Sequence, residues 1–251
     1  LYMAAELIAT TATKKVYRDG DKAIKVFNAD FPKAEVLNEA LITARVEETG
    51  GIDVPKVLEV GVFEGKWSIT FDFIEGKTLQ QLMDENPDKL AEYMEQMVDL
   101  HLNILSKHCP LLNKLKEKMS RQILEIDELR DITRYDMRTK LDSMPKHTKL
   151  CHGDFNPTNI VVREDGSMCV LDWVHATQGN ASADIARTYL LFCLQDQKKA
   201  DMYMDIFCKK TGTAKKYVQT WLPIVAAAQL SKKRPEEVEL LQKWANVCDY
   251  Q

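Results

Sequence analysis

Residues 150–162, LCHGDFNPTNIVV, set the tightest limit on what this chain can be. The flanks read as a buried strand, yet His152, Asp154, Asn156 and Asn159 interrupt the apolar run. Polar groups in a core-like setting are costly unless they are hydrogen-bonded or bind something. Downstream, NIVVREDGSMCVLD (159–172) has two apolar segments around EDGS, which reads as a hairpin loop. With 164–167 as that loop, Arg163 pairs with Met168, and counting back along both strands sets Asn159 opposite Asp172. Side chains directly opposed on one face lie roughly 4.5–5.5 Å apart, so an amide oxygen and a carboxylate there can share one hard cation. Mg²⁺ accepts such oxygen donors and keeps waters and phosphate oxygens as its other ligands. The assignment depends on register, because a one-residue slip moves each side chain to the other face. Asp154, five residues before Asn159, approaches the same site from the connecting loop without being a ligand.

The rest of the chain supplies a frame for this loop. The 251 residues are 45% hydrophobic and 29% charged, an ordinary globular composition able to bury a sizeable core. A net charge of −4 gives no electrostatic reason to expect nucleic acid. Six cysteines, at 109, 151, 169, 193, 208 and 248, form no CxxC pair and read as reduced thiols of a cytoplasmic protein. Runs such as YLLFCL (189–194) are too short to span a bilayer, and LYMAAELIATTA lacks the basic start of a signal peptide, so no membrane partner is expected. Met3 reads as the natural start.

Strand and turn signals fill the first 75 residues. KKVYRDGDKAIKVF has two strand-like runs around Asp19-Gly20-Asp21. A helix is expected over PKAEVLNEALITARVEETGG, with Val36, Leu37, Ala40, Leu41 and Ala44 on its apolar face, followed by two strands around FEGK. From residue 77 the patterns are helical, with amphipathic segments at 90–106 and 111–129, and strands return only around the opening motif. The expected fold is α+β: a small β-rich lobe over 1–75, a larger α-helical lobe over 76–251, and a hinge at FDFIEG (71–76).

H-G-D-x-x-x-x-N followed by a short hairpin and LDW resembles the aminoglycoside phosphotransferase and choline kinase family, relatives of the protein kinases. The resemblance implies a protein-kinase-like two-lobed fold and phosphoryl transfer from ATP or GTP. It makes Asp154 the base for the acceptor hydroxyl, Asn159 and Asp172 the holders of Mg²⁺, and His152 a support of the loop. Such transfer asks for an in-line nucleophile, a carboxylate to take its proton and cations over the phosphate charge. Two other readings of the motif compete. HxD can be a turn with a capped Asp. His152, Asp154 and His175 can form a two-His, one-carboxylate iron site, although that chemistry resembles an all-β barrel and this C-terminal half is helical.

The N-terminal lobe offers an independent check. A kinase needs a strand lysine on the α/β-phosphates, positioned by a helical glutamate. In AIK (23–25), Ala23 and Lys25 share a strand face, so Ala23 can roof the base while Lys25 reaches the phosphates. Glu35, Glu39, Ile42 and Val46 line one stripe of the following helix, and Glu39 is the better partner for Lys25. IATTATKKVY (8–17) stands where protein kinases carry a glycine-rich phosphate loop but has no glycine; Thr10, Thr11 and Thr13 are its small residues. The resemblance further implies adenine bonds to the backbone of Asp72 and Ile74, and a buried Asp184 bracing the catalytic loop.

The fold does not fix the acceptor. An aminoglycoside calls for carboxylates, and Asp196, Asp201, Asp205 and PEEVE (235–239) are candidates. Choline, ethanolamine or another amino alcohol calls for an aromatic cage, and Tyr189, Phe192, Tyr203, Tyr217, Trp221 and Trp244 are candidates. An aminoglycoside-like acceptor is the working expectation, with a sugar or amino alcohol next. A nucleotide-binding pseudokinase without turnover is the reading of a different class, and the presence of Lys25, Asp154, Asn159 and Asp172 speaks against it.

Overall fold

Alternating apolar residues make the N-terminal third a sheet. The computed structural model describes residues 5–245 except residue 128, so Met3 and Cys248 lie outside the described residues. Its five-stranded antiparallel sheet comprises β1 (Glu6–Thr10), β2 (Lys14–Asp19), β3 (Lys22–Phe27), β4 (Val57–Phe63) and β5 (Lys66–Asp72), in the order β1-β2-β3-β5-β4. Helix α1 (Lys33–Thr49) joins β3 to β4. Next come β6 (Lys77–Thr78), α2 (Leu79–Glu85), α3 (Leu90–Leu105), α4 (Leu115–Leu124), α5 (Asp131–Ser143) and β7 (Lys149–Cys151). Strands β8 (Ile160–Val162), β9 (Met168–Val170) and β10 (Thr177–Gly179) lead into α6 (Ala181–Cys193), α7 (Gln197–Thr211), α8 (Lys215–Gln219), α9 (Leu222–Leu230) and α10 (Pro235–Ala245). This is the α+β fold expected, a β-sheet N-terminal lobe and a helical C-terminal part.

Two compact units partition the chain, and the first is discontinuous: it runs to Glu85 and takes in Pro157–His175. Its core packs Phe27, Val36, Ala40, Ile69 and Phe71, joined by Phe31, Val57, Val60 and Trp67. Leu37 and Leu41, expected on the buried face of α1, are instead about half exposed, at 45% and 48%. The helix is turned so that Val36, Glu39, Ala40, Ile42, Thr43 and Val46 face inward. Burying Glu39 against a lysine, described below, excludes the face that would bury both leucines. The expected phosphate loop is also different, because residues 6–10 form an edge strand and only Thr11-Ala12-Thr13 turn the chain into β2.

The hairpin of β8 and β9 corrects the register. Ile160 faces Val170 and Val162 faces Met168. Arg163 N–H donates to the Ser167 carbonyl at 2.9 Å and Gly166 N–H to the Arg163 carbonyl at 3.0 Å, so the loop is the three residues 164–166. Gly166 closes it at φ 82°, a left-handed position that a three-residue hairpin loop needs. Leu171 N–H donates to the Asn159 carbonyl at 2.8 Å, so Asn159 faces Leu171, not Asp172.

The second unit comprises Asn86–Asn156 and the chain from Ala176 onward. Its antiparallel pair β7–β10 delivers Cys151 to the start of the HGD loop. Helix α4 covers less than the 111–129 expected. Gln178 N–H donates to the Asn113 carbonyl, and its side-chain amide to the carbonyls of Pro110 and Leu112, both at 2.7 Å. Those bonds engage carbonyls of 110–113 in a turn outside any helix, so the helix starts at Leu115. Helices α6 and α7 begin at side-chain caps, Asn180 on Ser182 N–H and Asp196 on Lys198 and Lys199 N–H. Helix α9 is buried on all sides. Among the described residues no helix is long and apolar enough to cross a membrane.

Gly76 shows how closely the first unit is packed. At φ 148°, a Cβ built there would sit 2.3 Å from the Val162 carbonyl oxygen of β8. Gly76→Ala should cost about 2–4 kcal/mol. A thermal melt should then show the midpoint falling by about 5–15 °C.

Candidate active site

Lys25 is the centre of the first unit's polar interior. It lies on β3 and forms an ion pair with Glu39 of α1. Its Nζ is also 3.0 Å from Asp172 Oδ1. Burial alone would lower the lysine pKa, but the Asp172 and Glu39 carboxylates more than offset it and raise it above its ordinary value. Asp172 receives a second ammonium, Lys14 Nζ at 3.3 Å from the first residue of β2. Against the opposing effect of burial, Lys25 and Lys14 hold its carboxyl below the usual range. Asp172 adopts φ 60°, unusual for a residue with a side chain. That turn takes it out of the β9 ladder into the 3₁₀ turn Trp173–His175, where Trp173 is buried with its indole N–H on the Val170 carbonyl.

Other expected residues of this unit meet ordinary partners. Ala23 is half-buried on β3, facing Phe71 of β5, and Glu35 is exposed. Asp72 N–H donates to the Lys56 carbonyl at 3.2 Å, while its carboxylate accepts from Lys56 N–H. Ile74 follows on the segment between β5 and β6. At the tip of β1 and β2, the Thr11 hydroxyl accepts from the N–H groups of Thr13 and Lys14, so these amides close the turn themselves.

The HGD loop belongs to the second unit and hangs on one buried carboxylate. Asp184, in the first turn of α6, accepts from His152 N–H at 2.7 Å through Oδ2 and from Gly153 N–H at 2.8 Å through Oδ1. His101 Nε2, from the buried face of α3, completes the set at 3.0 Å, and His101 Nδ1 meets the Tyr203 hydroxyl at 2.5 Å. Burial opposes ionisation of Asp184, but the His101 hydrogen bond and charge and the loop N–H groups outweigh it, so its pKa lies below the ordinary value. Asp154 N–H donates to His152 Nδ1 at 3.1 Å, and the Thr188 hydroxyl holds the Phe155 carbonyl at 2.9 Å. The loop is thus fixed through its backbone, leaving the Asp154 side chain 23% exposed.

Cations surround that side chain. Arg187 Nη2 is 3.7 Å and Lys232 Nζ 3.8 Å from Asp154 Oδ1. The Lys118 and Lys232 ammonium groups are each pushed down to about 8, by burial first and by Arg187 next. Lys14, His101, Lys118 and Lys232 were not signalled by the sequence, since lysines at these spacings read as solvated and a histidine on an apolar face reads as core. The proposed acceptor ligands are engaged elsewhere. Phe192, Tyr203 and Trp221 are core, Tyr189 stacks on Trp244 at 6.1 Å, and Tyr217 accepts from Asn180. Asp196 caps α7, Asp205 pairs with Lys215, and Asp201 accepts from Tyr189 and Gln197.

A sequence model described as the phosphotransferase enzyme family matches residues 8–215. The comparison with curated proteins returned no match. Among solved structures, the apo form of a thermostable mutant of aminoglycoside phosphotransferase APH(4)-Ia aligns with TM-score 0.72 at 13% identity, covering 97% of this chain and 93% of that one. Its ternary complex with AMP-PNP and hygromycin B aligns at 0.71 and 14%, covering 96% and 90%. A choline/ethanolamine kinase family protein from Mesorhizobium loti aligns at 0.62 and 16%, covering 97% and 85%. At such identities the likeness is one of fold.

The Asp184 cluster has a measurable pH signature. A depressed native pKa adds stability above the ordinary carboxylate value, 3.8, that is lost as pH falls through the native value. Urea midpoints should therefore drop on acidification from pH 6 to 3, and less steeply in Asp184→Asn. Asp184→Ala, leaving the loop amides and His101 unmet, should cost about 3–5 kcal/mol at pH 7.

Proposed function

The chain belongs to the phosphotransferase enzyme family, and on that premise we propose that it transfers the γ-phosphate of ATP or GTP to a hydroxyl of a small molecule. Asp154 takes the hydroxyl proton as the acceptor oxygen bonds the γ-phosphorus, the bridging P–O bond breaks, and the nucleoside diphosphate leaves. Residues 1–75 hold the nucleotide: Ala23 against the base, the backbone of Asp72 and Ile74 on its edge, and Lys25 on the phosphates. Residues 76–251 carry the catalytic loop and the acceptor, with the hairpin at 157–175 working on the nucleotide side.

Mg²⁺ fits the donor set. The Asp172 carboxylate stays ionised beside Lys25 and Lys14, and an anionic oxygen with the Asn159 amide oxygen suits a hard cation. When bound, the ion would neutralise charge on the transferred phosphoryl oxygens. His152 and Asp184 keep the loop backbone fixed so that Asp154 does not have to be ordered during reaction. The five described cysteines are free thiols, which favours a reducing, cytoplasmic compartment.

One observation carries this reading: a single lysine ammonium shared by Glu39 of α1 and Asp172 after β9, residues 14 and 147 positions away in sequence. A structural ion pair needs one partner; a phosphate-binding lysine needs to be aimed and kept charged. Mg²⁺-dependent transfer from ATP and GTP should be found against a panel of hydroxyl compounds. Asp154→Asn should lower kcat by about 10²–10⁴ while the nucleotide Kd stays within about twofold. Lys25→Ala should instead weaken nucleotide binding. Absence of both Mg²⁺-nucleotide binding and transfer overturns the proposal.

A further inference from the structure

Asp154 alone does not balance the positive charge around it. One of its oxygens serves both Arg187 and Lys232, at 3.7 and 3.8 Å. Arg187 is 8% exposed, its Nη1 donates to Gln229, and its Nε has no hydrogen-bond partner among the described residues. An unmet N–H on a buried guanidinium is costly. The neighbouring elements add charge of the same sign: Lys118 and Arg121 from α4, and Arg234 ahead of α10. The carboxylates nearby are already engaged, Asp184 by the HGD loop and His101, and Glu237 by Gln229 and Arg234. The depressed Lys118 and Lys232 ammonium groups fit the same excess of positive charge.

Resting on the reading that Asp154 is the base, we propose that the acceptor bears an anionic group, a phosphate or carboxylate, which Arg187 and Lys232 bind beside the reacting hydroxyl. An anion there supplies the missing partner for Arg187 and relieves the repulsion among the three buried or half-buried cations. A polycationic aminoglycoside would add to that repulsion. Choline would meet it without a cage from Phe192, Tyr203 and Trp221, which are core. Preference for anions among the acceptors of this fold is thus written in α4, α6 and the segment after α9.

The test uses the full chain with ¹³C-methylated lysines, titrated by NMR, the Lys232 signal being assigned from Lys232→Gln. The probes are D-glycerate and ribose 5-phosphate, their neutral counterparts glycerol and ribose, kanamycin, and MgATP. One or both anions should shift the Lys232 signal at millimolar concentration and raise its pKa, the carboxylate and phosphate arms telling which group is preferred. Neutral probes and kanamycin should not. Binding of the preferred anion, followed on the other shifted signals, should weaken about tenfold or more in Lys232→Gln. No shift with either anion, or a shift with MgATP alone, overturns the inference. Run as acceptors, the same compounds separate the two claims. Transfer to kanamycin without anion binding leaves the kinase reading standing and removes this one. Anion binding with neither MgATP binding nor transfer to any hydroxyl leaves the anion site and removes the kinase reading.

Discussion

A charge taken out of water must be met by opposite charge or hydrogen bonds, and each unit of this protein is organised around one such charge. In the first it is the Lys25 ammonium, held between Glu39 and Asp172. That demand sets the roll of α1, which turns Glu39 inward and leaves Leu37 and Leu41 on the surface. It also fixes where the chain leaves β9, since Asp172 reaches the lysine from a left-handed backbone conformation. In the second unit it is the Asp184 carboxylate. Two loop amides and a histidine meet it, so the shape of the HGD loop is set by α6 and α3 rather than by the loop's own side chains.

The two solutions differ in kind, and the difference bears on function. Around Lys25 the charges are paired, with carboxylates on two sides. Around Asp184 the donors are mostly neutral backbone groups, which rigidify the loop without adding net charge. Positive charge accumulates instead at Asp154, one turn of helix away from the brace, where Arg187 follows Asp184 by three residues on α6. One helix thus fixes the loop from its first residues and charges the surroundings of Asp154 from the next turn.

Much of this was legible in the sequence where local signals are strong. The Asp19–Asp21 turn, the Gly-Gly stop after α1 and the strands around FEGK are where the residues put them. Lys25 meets Glu39 and Asp184 accepts from the loop backbone, whereas the contact of Lys25 with Asp172 was not signalled. What failed depends on non-local or fine geometry. The hairpin loop is three residues, not four, because Gly166 accepts a left-handed conformation, and that one residue shifts Asn159 to Leu171. The late start of α4 follows from bonds to Gln178, more than sixty positions downstream. The cations at Asp154 come from three separate segments, so no spacing in the sequence could gather them.

The discontinuity of the first unit has a consequence in time. During synthesis the residues up to Glu85 emerge about 70 positions ahead of Pro157–His175, a delay of several seconds at about 5–20 residues per second. Through that interval β6 has no β8 beside it, and Lys25 has Glu39 but no Asp172. The first unit therefore waits, its five-stranded sheet encoded but β6 unpaired, for a hairpin encoded far downstream. The piece that completes it is the one bearing the aspartate, so a nascent chain cannot assemble the charges around Lys25 before more than half of the protein has been made.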